Sequence, residues 1–207
     1  MRPRQIGLLA GGLFAVAITL VGFTALVNSR QAAPGRSGTA QSGTGGASIG
    51  GPFTLTRGDG KQVTQTDFLG KPTAIFFGFT FCPEVCPTTL YELSGLIKEL
   101  GPEAEKVNFA FVSVDWGRDG PKELASYTSA FDSHIQGLSG TEAEIETVTR
   151  AYRVYYKRIP VDGGDYTIDH TASVYLMDKD GNFVGTLAYG EARNTMLEKL
   201  KRLIGGA

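Results

Sequence analysis

A chain of 207 residues is long enough for one domain of ordinary size plus additional segments. Its formal net charge of −1 removes the electrostatic case for nucleic acid as a partner. Two cysteines are too few for a disulfide scaffold, so a close pair reads as a redox site, a metal site or a single structural bridge.

Residues 1–5 carry Arg2 and Arg4 and precede an uncharged run from Ile6 to Val27. As a helix that run would span roughly 33 Å, enough for a bilayer core of roughly 30 Å. The arginines favour a cytoplasmic amino terminus, and the end of the run lacks a clean small-x-small cleavage pattern. The expectation is an uncleaved transmembrane anchor over 6–27. A cleaved signal peptide is the alternative, and both export the remainder. Residues 28–51 are dominated by Gly, Ser, Ala, Thr and Gln, a composition that cannot bury enough surface to fold. They read as a flexible tether, leaving 52–207 as the folded domain.

Phe53-Thr54-Leu55 and Gln62-Val63-Thr64 alternate around Asp59-Gly60 and predict a hairpin. Thr73 to Phe79 reads as a buried strand. The two-cysteine turn Cys82-Pro83-Glu84-Val85-Cys86-Pro87 follows, then a helix with apolar positions at Leu90, Leu93, Leu96, Ile97 and Leu100, closed at Gly101-Pro102. Val107 to Val114 is a second central strand, and Pro121 opens a helix to about Phe131. Thr141-Glu142-Ala143-Glu144 is a capping box for a helix to Tyr152. Asp162 to Asp165 is a polar loop. Ala172–Met177 and Phe183–Ala188 form a second hairpin, and Glu191 to Ile204 a closing helix. Strand-helix-strand implies parallel neighbours, and the terminal hairpin adds antiparallel strands. The order is that of an α/β thioredoxin-like sandwich with an added N-terminal β-hairpin.

Cys82 and Cys86 lie four positions apart, so a helical turn puts both sulfurs on one face. Free amides at a helix start stabilise thiolate. A thiolate attacks disulfides, and a thiolate pair holds soft metals. Three intervening residues, where thioredoxin-type oxidoreductases have two, weaken the reductase reading without removing it. A static disulfide or two buried thiols is the bland alternative, and a peroxidase of the peroxiredoxin type a remote one. The chain has two histidines. His134 lies in a polar link and reads as a surface residue. His170, in Asp169-His170-Thr171 before a strand, enters the hairpin that packs beside the cysteine turn in a thioredoxin-like fold. Two thiolates and an imidazole suit Cu(I), or Cu(II) with a further donor, whereas a closed zinc site wants a fourth protein ligand. Asp169 is the candidate acceptor for the His170 N–H. Met177 and Met196 read as core.

Gly78-Phe79-Thr80-Phe81-Cys82-Pro83-Glu84-Val85-Cys86-Pro87-Thr88, Ser113-Val114-Asp115 with Arg118-Asp119, and Tyr166-Thr167-Ile168-Asp169-His170-Thr171 together resemble the Sco/SenC family of copper chaperones. The resemblance runs from about Phe53 to Ile204. It implies a membrane-anchored protein whose thioredoxin-like domain lies on the exported side, in the bacterial periplasm or the mitochondrial intermembrane space. It implies copper held by Cys82, Cys86 and His170, and assembly of the copper A centre of cytochrome c oxidase subunit II. Copper transfer, reduction of the acceptor's cysteines by Cys82 and Cys86, or both are the implied modes, with an upstream copper donor and a thiol reductant as further partners. Phe81 departs from the His or Tyr that the family often carries there. Trp116-Gly117 stands where Pro and a charged residue are common.

Overall fold

The computed structural model of the chain describes residues 48–206. The expected anchor over 6–27, and the tether up to residue 47, lie outside the described residues. Among those described, no helix is long and apolar enough to cross a membrane. Ser48 to Gly51, assigned to the tether by composition, are docked: the Gly50 N–H donates to the Ala151 carbonyl at 2.9 Å, and Ile49 packs on the core.

A seven-stranded sheet has the order β2-β1-β5-β4-β3-β8-β9. Its members are β1 (Thr54–Arg57), β2 (Gln62–Thr64), β3 (Thr73–Gly78), β4 (Asn108–Ser113), β5 (Ile135–Ser139), β8 (Val174–Met177) and β9 (Phe183–Leu187). Strands β3, β4 and β5 run parallel, and the other pairings are antiparallel. Every residue of β3 is buried, which is why it reads as an unbroken apolar run rather than an alternation. The helices are α1 (Val85–Leu100), α2 (Pro121–Ser129), α3 (Glu142–Tyr152) and α4 (Arg193–Gly205).

Phe76 pairs in register with Phe111, and Phe111 with Gly137, so these three share one face. Helices α1 and α2 cover that face. Tyr152 of α3 covers the other, meeting Phe77 and Tyr175. The architecture is the thioredoxin-like sandwich that the element order implies, with the β1–β2 hairpin at its edge.

Two features were not legible in the sequence. Strand β5 reads Ile-Gln-Gly-Leu-Ser, too mixed for an apolar run. Its Gly137 is required because a Cβ there would lie 2.9 Å from the backbone of Leu124 in α2. The second feature is a separate antiparallel ribbon, β6 (Tyr156–Pro160) and β7 (Tyr166–His170), on either side of the predicted polar loop. His170 therefore precedes strand β8, as expected, and also ends a strand of its own. Ile168 is the one buried residue of the ribbon, so the ribbon carries no hydrophobic period.

Candidate metal centre

Strand β3 ends at Gly78, and the chain turns through residues 79–84 into α1. Helix α1 has no side-chain cap at Glu84. The Cys82 sulfur takes that place: the Cys86 N–H donates to Cys82 Sγ at 3.4 Å. Cys86 is fully buried, and Cys82 is partly exposed at the surface of the turn. Gly78 makes room for the inner thiol, since a Cβ there would stand 2.6 Å from Cys86 Sγ and 2.8 Å from the Phe111 ring.

The buried Asp119 carboxylate braces the turn from below. It accepts from the Thr80 N–H at 2.8 Å, the Thr80 hydroxyl at 2.6 Å and the Ser113 hydroxyl at 2.6 Å. These bonds fix the cysteine turn to the end of β4.

His170 approaches from the ribbon, with Nε2 at 3.4 Å from Cys86 Sγ. Its Nδ1 lies 3.0 Å from the Thr171 carbonyl oxygen. A carbonyl only accepts, so Nδ1 donates to it and Nε2 is the nitrogen that faces the sulfurs. Phe79 meets the imidazole edge-on at 5.7 Å and Phe76 lies at 6.1 Å. Asp169 is not the acceptor expected of it. Alternate strand residues face opposite ways, and Asp169 points to solvent opposite Lys157.

The donor atoms of Cys82, Cys86 and His170 all lie within 4.8 Å of one another, and no other such group of three occurs among the described residues. Both cysteines are free thiols. A hydrogen bond from Cys86, then one from His170, supported by the backbone N–H groups of Cys86 and Glu84, lowers Cys82 to about 4. The hydrogen bond between the two cysteines and burial push Cys86 up. One sulfur is thus a thiolate at neutral pH and the other holds the shared proton.

His134 sits elsewhere, with Nδ1 at 2.6 Å from Asp132 and Nε2 at 3.1 Å from Glu105. Met177 and Met196 are core residues. Trp116 is half-buried, edge-on to Tyr156 and 4.0 Å from the Arg158 guanidinium carbon.

A clasp that binds the ribbon to the domain escaped sequence reasoning. Asp115 is fully buried at the end of β4 and accepts from Arg118 Nε at 2.5 Å and the Tyr166 hydroxyl at 2.6 Å, with Arg158 at 3.6 Å. Arg118 also donates to the Tyr166 carbonyl at 3.1 Å and to Asp165 at 3.0 Å. Its guanidinium lies 3.8 Å from the Tyr166 ring centre and 4.7 Å from that of Phe81, which is 62% exposed beside Cys82. The available signal was an acid with Arg three residues on, directly after a buried strand.

The SCO1/SenC family model matches residues 41–205. The mitochondrial SCO1 homolog 1 of Arabidopsis thaliana is 42% identical over 141 residues, covering 68% of this chain and 42% of that protein. The mitochondrial SCO1 homolog of Homo sapiens is 40% identical over 139 residues, covering 66% and 46%. The chain thus spans less than half the length of these two relatives. The copper-bound structure of Bradyrhizobium japonicum ScoI superposes with a TM-score of 0.71 at 51% identity, covering 75% of this chain and 99% of that one. The chain belongs to the SCO1/SenC family.

Proposed function

From that membership and the geometry of the thiol–imidazole cluster, we propose that this chain binds copper through Cys82, Cys86 and His170. In this reading it delivers the metal to the copper A centre of cytochrome c oxidase subunit II. The observation that carries it is the convergence of two sulfurs and one imidazole nitrogen within 4.8 Å. Two soft sulfurs and one nitrogen make a three-coordinate set that suits Cu(I). The copper-bound ScoI of Bradyrhizobium japonicum supports the choice of metal.

Each ligand has a part in loading. Cys82, already a thiolate and partly exposed, meets incoming copper first. Cys86 gives up its proton as it ligates, so uptake releases a proton. His170 ligates through Nε2, which already faces the sulfurs. On release, an acceptor thiolate displaces the accessible Cys82 before the two inner ligands. The uncharged run 6–27 is the proposed anchor and the segment after it the proposed tether. Together they place the domain on the exported side of a membrane, within reach of a membrane-bound oxidase. An upstream copper donor and a thiol reductant complete the proposed cycle.

The unequal thiols also favour a second reading, reduction of the acceptor's cysteines. The Cys82 thiolate attacks an acceptor disulfide, forms a mixed disulfide and releases one acceptor thiolate. Cys86 then loses its proton and attacks Cys82, leaving a Cys82–Cys86 disulfide and an acceptor dithiol, so two electrons pass to the acceptor.

Copper titration of the reduced chain tests the first reading. One equivalent is expected to bind, and binding is expected to weaken at least about 100-fold in Cys86→Ser and in His170→Ala. Wild-type affinity in both variants would sink it. The metal-free reduced protein tests the second, with His170→Ala expected to keep its reaction with disulfides.

A further inference from the structure

A solvent-open cavity of about 370 Å³ lies between the first half of α1, the start of β8 and the β9–α4 loop. Its floor is made by Leu93, Leu96, Val174, Leu187 and Met196, all buried. The charged groups around its rim are all in ion pairs, with one carboxylate in excess. Arg193 holds Glu92 at 3.0 Å and Glu99 at 2.6 Å, and Lys199 holds Glu191 at 2.5 Å. The buried apolar floor therefore favours an apolar group, and with both cations already held by carboxylates the rim offers no free positive charge to an anion.

Its position decides the occupant. The lip begins two residues past each of two members of the thiol–imidazole cluster, at Thr88 after Cys86 and at Ala172 after His170. Each extended residue spans roughly 3.5 Å, so a polypeptide with a cysteine at the cluster has its neighbouring side chains at the cavity. The exposed Tyr189 on the rim adds an aromatic contact surface.

We propose that this cavity receives one large apolar side chain of the acceptor polypeptide, next to the cysteine that exchanges at the cluster. The inference rests on the reading of the cluster as one that exchanges with acceptor thiols. It adds a specificity pocket for the acceptor's flanking sequence. Thiol exchange and pocket filling are then simultaneous, and the second raises the local concentration for the first.

The test uses the full reduced chain carrying Cys86→Ser and short cysteine peptides activated with thionitrobenzoate. The Cys82 thiolate attacks the peptide sulfur. The peptide–thionitrobenzoate S–S bond breaks, the Cys82–peptide disulfide forms, and thionitrobenzoate leaves as a coloured anion. Leu is scanned against Ala at three positions on each side of the peptide cysteine. One Leu position is expected to react at least about tenfold faster than its Ala counterpart, a preference of the size one filled apolar pocket supplies. Ala188→Trp and Thr88→Trp, at exposed lining positions, are each expected to erase that preference while the Ala peptides react unchanged. In chains retaining Cys86, both tryptophan variants are expected to keep wild-type copper stoichiometry, which also reports correct folding. Equal rates for all peptides, or a Leu preference that survives both tryptophans, overturns the pocket and leaves the copper reading intact. Failure of wild-type protein to bind copper overturns the copper reading, whichever peptide reacts fastest.

Discussion

Cys86 lies where β3 meets α1, sealed against Gly78 and Phe111, while His170 ends a ribbon with a single buried residue. The inner sulfur of the cluster is held by core packing, on a turn braced by the buried Asp119. The ribbon that carries the imidazole is held by the clasp of Asp115, Arg118, Arg158 and Tyr166. The two supports differ in kind. Packing tolerates almost no added atom, whereas a polar clasp loosens when one partner is removed. The domain can therefore lose the position of its histidine without losing its thiol chemistry, and the reverse is not available.

The largest expected effect comes from breaking the packed side. Gly78→Val drives a side chain into Cys86 Sγ and the Phe111 ring. It is expected to cost about 3 kcal/mol in urea unfolding, in the upper range for overpacking. A cost near zero would show that the thiol side is not sealed.

Breaking the clasp comes next. Asp115→Ala leaves the Arg118 and Arg158 guanidiniums facing an empty site, at an expected cost of about 2 kcal/mol because both retain some exposure. Copper affinity is expected to fall about tenfold through loss of support for His170. The alkylation rate of Cys82 in the metal-free protein is expected to stay at the wild-type value. Equal damage to both measurements would mean that the two sides are one unit.

Titration sharpens the contrast without mutation. Cys82 is lowered to about 4 chiefly by the Cys86 hydrogen bond, against an ordinary value of 9.0. The fold is thus stabilised by this thiolate above the ordinary value, and the contribution falls away as pH drops through about 4. Alkylation of the metal-free reduced protein is expected to level off above pH about 5. A rate still climbing toward pH 9 would contradict the assignment of charge to Cys82.

The smallest expected effect lies away from the cluster. His134 is raised above its ordinary value, mainly by its hydrogen bond with Asp132. That stabilisation is complete below the unfolded value and is lost as pH rises through the folded one. Asp132→Asn is expected to cost no more than about 0.5 kcal/mol at pH 5.5 and less at pH 9, since the histidine is partly screened by solvent. A measured effect on copper binding would overturn the separation of His134 from the cluster.

The same division explains what the sequence could reveal. Strands β3 and β4, helix α1 and the capping box of α3 rest on local patterns: buried apolar runs, 3.6-residue periodicity and Thr141 with Glu144. The cysteine pair is local as well. Strand β5 escaped because Gly137 records the proximity of Leu124, a tertiary fact. The ribbon escaped because stacked guanidiniums and a buried carboxylate, not an apolar face, hold it down. His170 could be brought toward the cysteines by fold topology. Its hydrogen-bond partner could not be chosen that way, because strand parity turns Asp169 outward and leaves Thr171 to accept the proton.

Copper K-edge X-ray absorption on the Cu(I)-loaded chain, wild type against His170→Ala, tests the three-ligand site most directly. The expected wild-type coordination is two sulfurs and one nitrogen, with the nitrogen shell absent from the variant. An all-sulfur spectrum already present in the wild type and unchanged by the substitution would contradict it.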